Sequence, residues 1–407
     1  MTARRFYAAV FLLAVFPSVS MGAHEFAYKF KAGDKYRVLA TVNEDVYVNR
    51  RLSYHAEILD RISMEVTGVY GDRAAISATF QTAERTTVAG ESGTAATPLF
   101  LWDRDYQSEF EQDRLGYLTV DDRYYMPMVR NVPAFPDRDI QVGEGWSALG
   151  IEVHDFRDNF GIEEPYRIPF TANYTYLGER TWRDTAYPAF SVSYRVFLEP
   201  EAVPGRVFPR RILEACDQIV YWDAERGQAV AYEEYFRIVI DLSDGQTFEY
   251  RGVSEAEVVE APPMAKEDMV RDITEDILSL DIPDVSVRIT DEGIVISLEN
   301  IQFDPDSAVL RPEEKPKLDK IAEILLRYPD RDILVGGHTA LAGTAAGRMQ
   351  LSVERAASVA EYLLGKNVRK ADRVVIRGYG AEQPIADNRT AEGMERNRRV
   401  EITILEN

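Results

Sequence analysis

The sequence is poor in the residues that most often declare a chemistry. Cysteine occurs once, as Cys216, which excludes an intramolecular disulfide. A lone cysteine in a β-rich stretch reads first as a small core residue. Histidine occurs four times, as His24, His55, His154 and His338. None stands in a His-Glu-x-x-His pattern or beside a cysteine pair, so no metal site is expected. A Gly-x-Ser-x-Gly elbow, a phosphate-binding loop and a dinucleotide fingerprint are also missing. The adjacent acidic pairs Asp121-Asp122 and Glu163-Glu164 are scattered among 68 acidic residues and read as solvated surface. The expectation is a protein without enzymatic activity, cofactor or metal.

Positive charge is in deficit too. With 47 Lys and Arg against 68 Asp and Glu, the formal net charge is −21, which repels phosphate backbones and argues against nucleic acid. Long hydrophobic runs are absent apart from Phe6–Phe16, 11 residues that follow Arg4 and Arg5. That run is too short to span a bilayer comfortably, and small residues follow it at Ser18, Ser20 and Gly22. Residues 1–22 therefore read as a secretory signal with an ambiguous cleavage point. The mature chain is expected in the periplasm, without a transmembrane helix, with attachment to the outer membrane left open.

What the sequence does have is length and rhythm. Its 407 residues allow two or three domains with full cores. Over residues 23–253 apolar and polar positions alternate. Ile62, Met64 and Val66 form one such row, Ala74, Ile76, Ala78 and Phe80 a second, and Phe190, Val192, Tyr194, Val196 and Leu198 a third. Rows of this kind are strands with one buried and one wet face. Turn signals at Gly71-Asp72, Glu225-Arg226-Gly227 and Asp244-Gly245 separate them, the last joining a hairpin. This pattern predicts an all-β, sandwich-like N-terminal region. Pro127, Pro133 and Pro136 mark a possible split into two subdomains near 130–140. Residues 82–97 read as a loop. A membrane barrel is the alternative, but the longest candidate strand, Val230–Leu242, carries charge on both faces. The many aromatics of this region, such as Tyr174, Trp182 and Trp222, read as core, with a carbohydrate- or protein-binding face as the sharper alternative.

Residues 254–270 are acidic, carry Pro262-Pro263, and read as a linker. The rhythm then changes over 271–407. Ile294, Ile296 and Leu298 mark a strand, and Leu318, Ile321, Ala322 and Leu325 lie at helical spacing. A strand at Ile333–Val335, a helix through Leu351, Val359 and Leu363, and strands at Val374–Ile376 and Val400–Ile404 follow. The order β-α-β-α-β-β predicts an α+β domain with its helices on one face of a mixed sheet.

Several short motifs recur at ordered spacing in this last region. They are Phe303-Asp304-Pro305-Asp306, Gly337-His338-Thr339, Leu351-Ser352-x-x-Arg355, Gly378-Tyr379-Gly380, Asn388 and Asn397-Arg398-Arg399-Val400. Together they resemble the C-terminal domain of the OmpA family. The resemblance covers roughly residues 285–405 and implies a periplasmic module that grips peptidoglycan. In that family a loop Asp and a helix Arg hold the diamino acid of the stem peptide, the Asp pairing its ammonium and the Arg its carboxylate. Arg355 matches the Arg. The Asp position is Ala340, and the position usually held by Asn is Arg348. Relative to the family the pocket loses a negative charge and gains a positive one. Binding of the usual diaminopimelate stem is therefore expected to be weak or absent, and the pocket shifts toward an anionic ligand. Arg348 and Arg355 are the candidate carboxylate grips, with Thr339, Asp304, Asp306 and Asn388 around the rim. Two further readings remain: an envelope scaffold that no longer binds peptidoglycan and makes protein contacts through its β region, and an outer-membrane barrel with this domain as a tail.

Overall fold

The computed structural model describes residues 23–88, 99–203, 205–260, 264–304 and 307–406. The signal segment and Asp306 lie outside the described residues.

The described residues of the N-terminal region form twelve strands. It opens with β1 (Lys35–Val48), β2 (Arg51–Tyr70), β3 (Arg73–Val88) and β4 (Phe100–Asp113). Then come β5 (Leu118–Val120), β6 (Val129–Arg130), β7 (Gly145–His154) and one helical turn, α1 (Arg157–Phe160). β8 (Tyr166–Trp182), β9 (Thr185–Leu198), β10 (Pro209–Asp223), β11 (Gln228–Leu242) and β12 (Thr247–Glu260) complete it. Each strand pairs antiparallel with its successor, apart from the break between β5 and β6, and β1 also pairs with β12. The β region is thus two meanders, β1–β5 and β6–β12, joined by the β1–β12 pairing. Among its two-residue turns, Asn49-Arg50 has both residues at positive φ, 51° and 67°, which matches the twist of the flanking strands.

The second meander folds over on itself. β7 and β10 are separated by β8 and β9, yet Glu152 and His154 of β7 meet Glu214 of β10 side chain to side chain. The space inside is filled by aromatics from distant parts of the chain. Phe26, which precedes β1, packs on Phe135, Phe190 and Trp222 at ring-centroid distances of 5.5, 5.2 and 6.2 Å. Full burial of such a ring contributes about 1.5–3 kcal/mol, and each edge-to-face pair adds about 0.5–1.5 kcal/mol. The backbone around Phe26 is tied to strand ends, His24 N to Ile140 O and Tyr28 N to Arg114 O. Facing outward, β8 presents Arg167, Pro169, Thr171 and Asn173. A strand facing lipid needs an apolar outer face, and β8 does not have one.

Two expectations for this region are corrected. Residues 82–88 belong to β3, because the threonines there suit a strand and Thr82–Val88 pairs with Tyr54–Asp60 of β2. Residues 254–260 belong to β12: Glu255 is exposed while Ala256 is buried, in register with Ala40 of β1. Within 130–140, Phe135 and Ile140 are buried in the aromatic interior, and Ala134 O accepts from Trp146 Nε1 at 2.9 Å.

The C-terminal domain contains α2 (Lys266–Ser279), β13 (Val285–Ile289), β14 (Gly293–Leu298), α3 (Lys315–Leu325), β15 (Ile333–Gly337), α4 (Ala345–Gly365), β16 (Val374–Gly378), α5 (Ala391–Asn397) and β17 (Val400–Leu405). The sheet order is β13-β14-β17-β15-β16, with β15 and β16 parallel. Ile296, Val335, Ile376 and Ile402 face Leu318, Ile321, Val359 and Leu363 of the helices. The alternate residues Leu334, Val375 and Leu405 face Ala83, Phe100 and Trp102 of the β region. This second cover explains why β14, β15 and β17 are buried along their whole length. The two regions also share hydrogen bonding: β16 runs parallel to β4, with Val375 opposite Phe100 and Ile376 opposite Leu101. Arg61 pairs with Asp332 across the junction, and Arg377 Nη1 lies 3.1 Å from Asp105 Oδ2.

Candidate functional site

The site forms where β15 ends and α4 begins. Gly337 lets the two elements touch: a Cβ there would lie 2.0 Å from the Ser352 carbonyl oxygen. The loop 338–344 follows, and Thr344 starts α4 by accepting the Gly347 N–H at 3.1 Å. Thr339 N donates to Gly380 O at 2.7 Å, fixing this loop to the one after β16. Leu341 N donates to Asn388 Oδ1 at 3.0 Å. Asn388 is held in turn by Asn397 Nδ2 at 3.0 Å. Asn397 is fully buried and uses its Oδ1 to accept from Ile385 N and Ala386 N at 2.8 and 3.0 Å. Asn388 and Asn397 therefore brace the site wall through backbone contacts.

Ala340 is 5% exposed and presents only a methyl group to this wall. Thr339 is buried beside it, its Oγ1 without a hydrogen-bond partner. Arg348 folds back and donates from Nη1 to Gly343 O at 2.6 Å. Arg355 turns toward the other loop, donating from Nε to Ser307 O at 3.2 Å and stacking 4.9 Å from the Phe303 ring centroid. Ser352, between them on α4, points into the core and accepts from Gly380 N at 3.0 Å. The spacing of 348, 352 and 355 put all three on one helix face. The structure instead gives each arginine a different loop and buries the serine. Asp304 is exposed, with its Oδ1 3.7 Å from Arg311 Nε.

Beneath the loop lies a charged cluster that sequence reasoning passed over. His338 stacks on Tyr379 at 4.7 Å and its Nε2 lies 3.6 Å from Glu401 Oε2. Glu401 also receives Arg288 Nη2 and Arg399 Nε, each at 2.7 Å. Burial alone would raise the Glu401 carboxyl, but His338, Arg288 and Arg399 together hold it well below the usual carboxylate range. Burial lowers His338 from its ordinary value and favours its neutral form. Only the alternation of Arg399 and Glu401 along β17 hinted at this arrangement.

A second buried polar cluster sits in the β region, where Glu152, His154 and Glu214 converge. Burial, reinforced by Glu214, pushes the Glu152 carboxyl up to about 9. Sequence reading missed it because its parts are 60 residues apart and belong to no local motif.

Residues 302–398 match the model of the OmpA family. The chain is 40% identical over 121 residues to "Probable lipoprotein YiaD" of Escherichia coli, covering 30% of this chain and 55% of that protein. It is 44% identical over 103 residues to "Outer membrane protein A" of Bordetella avium, covering 25% and 53%. With "Peptidoglycan-binding protein ArfA" of Mycobacterium tuberculosis it shares 38% identity over 104 residues, 26% of this chain and 32% of that one. The chain thus spans about half the length of the first two relatives and a third of the last. Among the described residues no helix is long and apolar enough to cross a membrane.

Proposed function

We propose that this chain, whose residues 302–398 form an OmpA-family domain, is a non-enzymatic envelope protein with an altered cell-wall pocket. One observation carries this reading. Where the family places an acceptor for the stem peptide's ammonium, Ala340 offers a buried methyl group. The nearby charged groups from α4 are Arg348 and Arg355, both cationic. A diamino acid needs one partner of each sign, and the loop 338–344 carries no carboxylate for the ammonium, a loss of about 2–5 kcal/mol in a dry site. The pocket therefore favours a carboxylate or another anion over the usual zwitterionic stem. The names of its relatives place them at outer membranes and, for one, on peptidoglycan, which supports an envelope setting.

A second reading draws support from the junction of the two regions. The shared β4–β16 pairing and the buried Phe100, Trp102 and Leu334 hold the domain against the β region. A rigid joint of this kind suits an envelope scaffold that acts through protein contacts.

Co-sedimentation of the full mature chain with peptidoglycan sacculi tests the proposal. One source carries meso-diaminopimelate in its stems, and the other a diamino acid lacking the second carboxylate. An OmpA-family domain with the Asp and Arg intact serves as reference. The proposal requires far weaker pelleting than the reference on diaminopimelate sacculi. Equal pelleting would refute the altered pocket, and pelleting with neither source would favour the scaffold.

A further inference from the structure

We infer that the folded-over β region holds a divalent transition-metal cation between β7 and β10, bound by Glu152, His154 and Glu214. The three side chains are 5%, 7% and 7% exposed. Their donor atoms all lie within 4.8 Å of one another. His154 Nε2 is 2.9 Å from Glu214 Oε1 and 3.5 Å from Glu152 Oε1. Bonds of about 2.0–2.2 Å in a tetrahedral shell put neighbouring ligand atoms about 3.3–3.5 Å apart, close to what is seen.

Orphaned atoms give an independent observation. His154 Nε2, Glu214 Oε1 and Glu152 Oε2 are all buried without a hydrogen-bond partner. Buried polar atoms normally have partners, and these three belong to side chains that gather in one cluster, where a cation would partner them. Charge points the same way. Among the described residues neither carboxylate pairs with a lysine or arginine. With both carboxyls ionised and the imidazole neutral the cluster would carry −2, which a divalent cation would cancel. The mix of one nitrogen and two carboxylate oxygens suits zinc and its neighbours.

The site is also held ready. Glu152 and His154 are two apart on β7 and share its inner face. The His154 ring stacks on Phe156, with centroids 5.6 Å apart and planes 11° apart. Glu214 arrives from β10, across two intervening strands. A metal here would pin the fold-over of the meander, a structural role that leaves the OmpA-family pocket untouched. Cys216 lies two residues beyond Glu214 and is occupied with Glu234, its Sγ 3.0 Å from Oε1. It stays outside the proposed site.

The test uses the full mature chain, prepared without a polyhistidine tag and stripped with a chelator. On titration with zinc chloride, one zinc per chain should bind and the melting temperature should rise, with the chelator reversing it. Cobalt loaded instead should give visible ligand-field bands without a thiolate charge-transfer band. Glu152→Gln and Glu214→Gln should each weaken zinc at least about tenfold, while the surface variant Glu163→Gln should not. Superimposable melts with and without zinc would overturn the inference in favour of a proton shared by the carboxyls. Equal zinc content in both Gln variants would also overturn it. If the Gln variants do not fold, the wild-type titration and the cobalt spectrum decide.

Discussion

Restoring the family charges gives the most direct test of the proposed altered pocket. The perturbation is Ala340→Asp with Arg348→Asn. Asp at 340 adds a carboxylate for the ligand's ammonium, and a charge-assisted hydrogen bond of this kind contributes about 1.5–3 kcal/mol. At about 1.4 kcal/mol per factor of ten, the double variant should bind a diaminopimelate-containing stem peptide about 10- to 150-fold more tightly. The change has a cost. Ala340 is 5% exposed, so the new carboxylate is partly desolvated in the free protein, and Arg348 gives up its 2.6 Å bond to Gly343 O. Together these should lower stability by about 2–3 kcal/mol. Isothermal titration with the soluble tripeptide reads the affinity, and urea denaturation reads the stability. A folded double variant whose affinity stays within about threefold of wild type would refute the charge argument. It would mean that the loop itself no longer admits the stem.

Four other outcomes are expected. Arg355→Ala should remove any residual wall binding in the pelleting assay. It should also cost about 1–2 kcal/mol in urea denaturation, because it releases Ser307 O and the Phe303 ring. Asn397→Ala leaves two backbone N–H groups and Asn388 without their partner and should destabilise the chain by about 3 kcal/mol, with Leu341 among the amides that lose exchange protection. Trp102→Ala empties the junction between the two regions and should cost about 3–5 kcal/mol, with faster proteolysis between them as the second readout. Glu401 has a carboxyl held below its ordinary 4.5, so its contribution is complete above that value and is lost as pH falls toward the folded one. Glu401→Gln should therefore be less stable than wild type at pH 7, and the gap in melting temperature should narrow below pH 4.5. A constant gap from pH 7 to pH 3 would contradict that linkage.

Much of the secondary structure was legible because its signal is local. Alternation at Phe190–Leu198 and Ala74–Phe80 marked strands whose inner faces are indeed buried. The spacing of Leu318, Ile321 and Leu325 marked α3. The OmpA-family motifs located the loop 338–344 and exposed the change at Ala340. The missed pieces share one cause, which is that a partner elsewhere in the chain overrides local character. Residues 82–88 look like a loop until β2 supplies their backbone partners. Residues 254–260 look like a linker until β1 does the same. α2 was hidden because only Ile273, Asp276 and Ile277 of its residues are buried, too few for a clear periodic stripe.

By itself, then, the sequence determined the kind of most long elements, the OmpA-family character of the C-terminal domain and the alanine at residue 340. These follow from side-chain chemistry read over a few neighbours. The tertiary structure alone decided that the domain's sheet is covered on its second face by the β region, because that depends on β16 meeting β4. It alone gave Arg348 and Arg355 to different loops, since a helical spacing fixes direction but not the partner each guanidinium finds. It alone brought Glu214 to Glu152 and His154, because the fold-over that joins β7 to β10 is a property of the whole meander and of no segment within it.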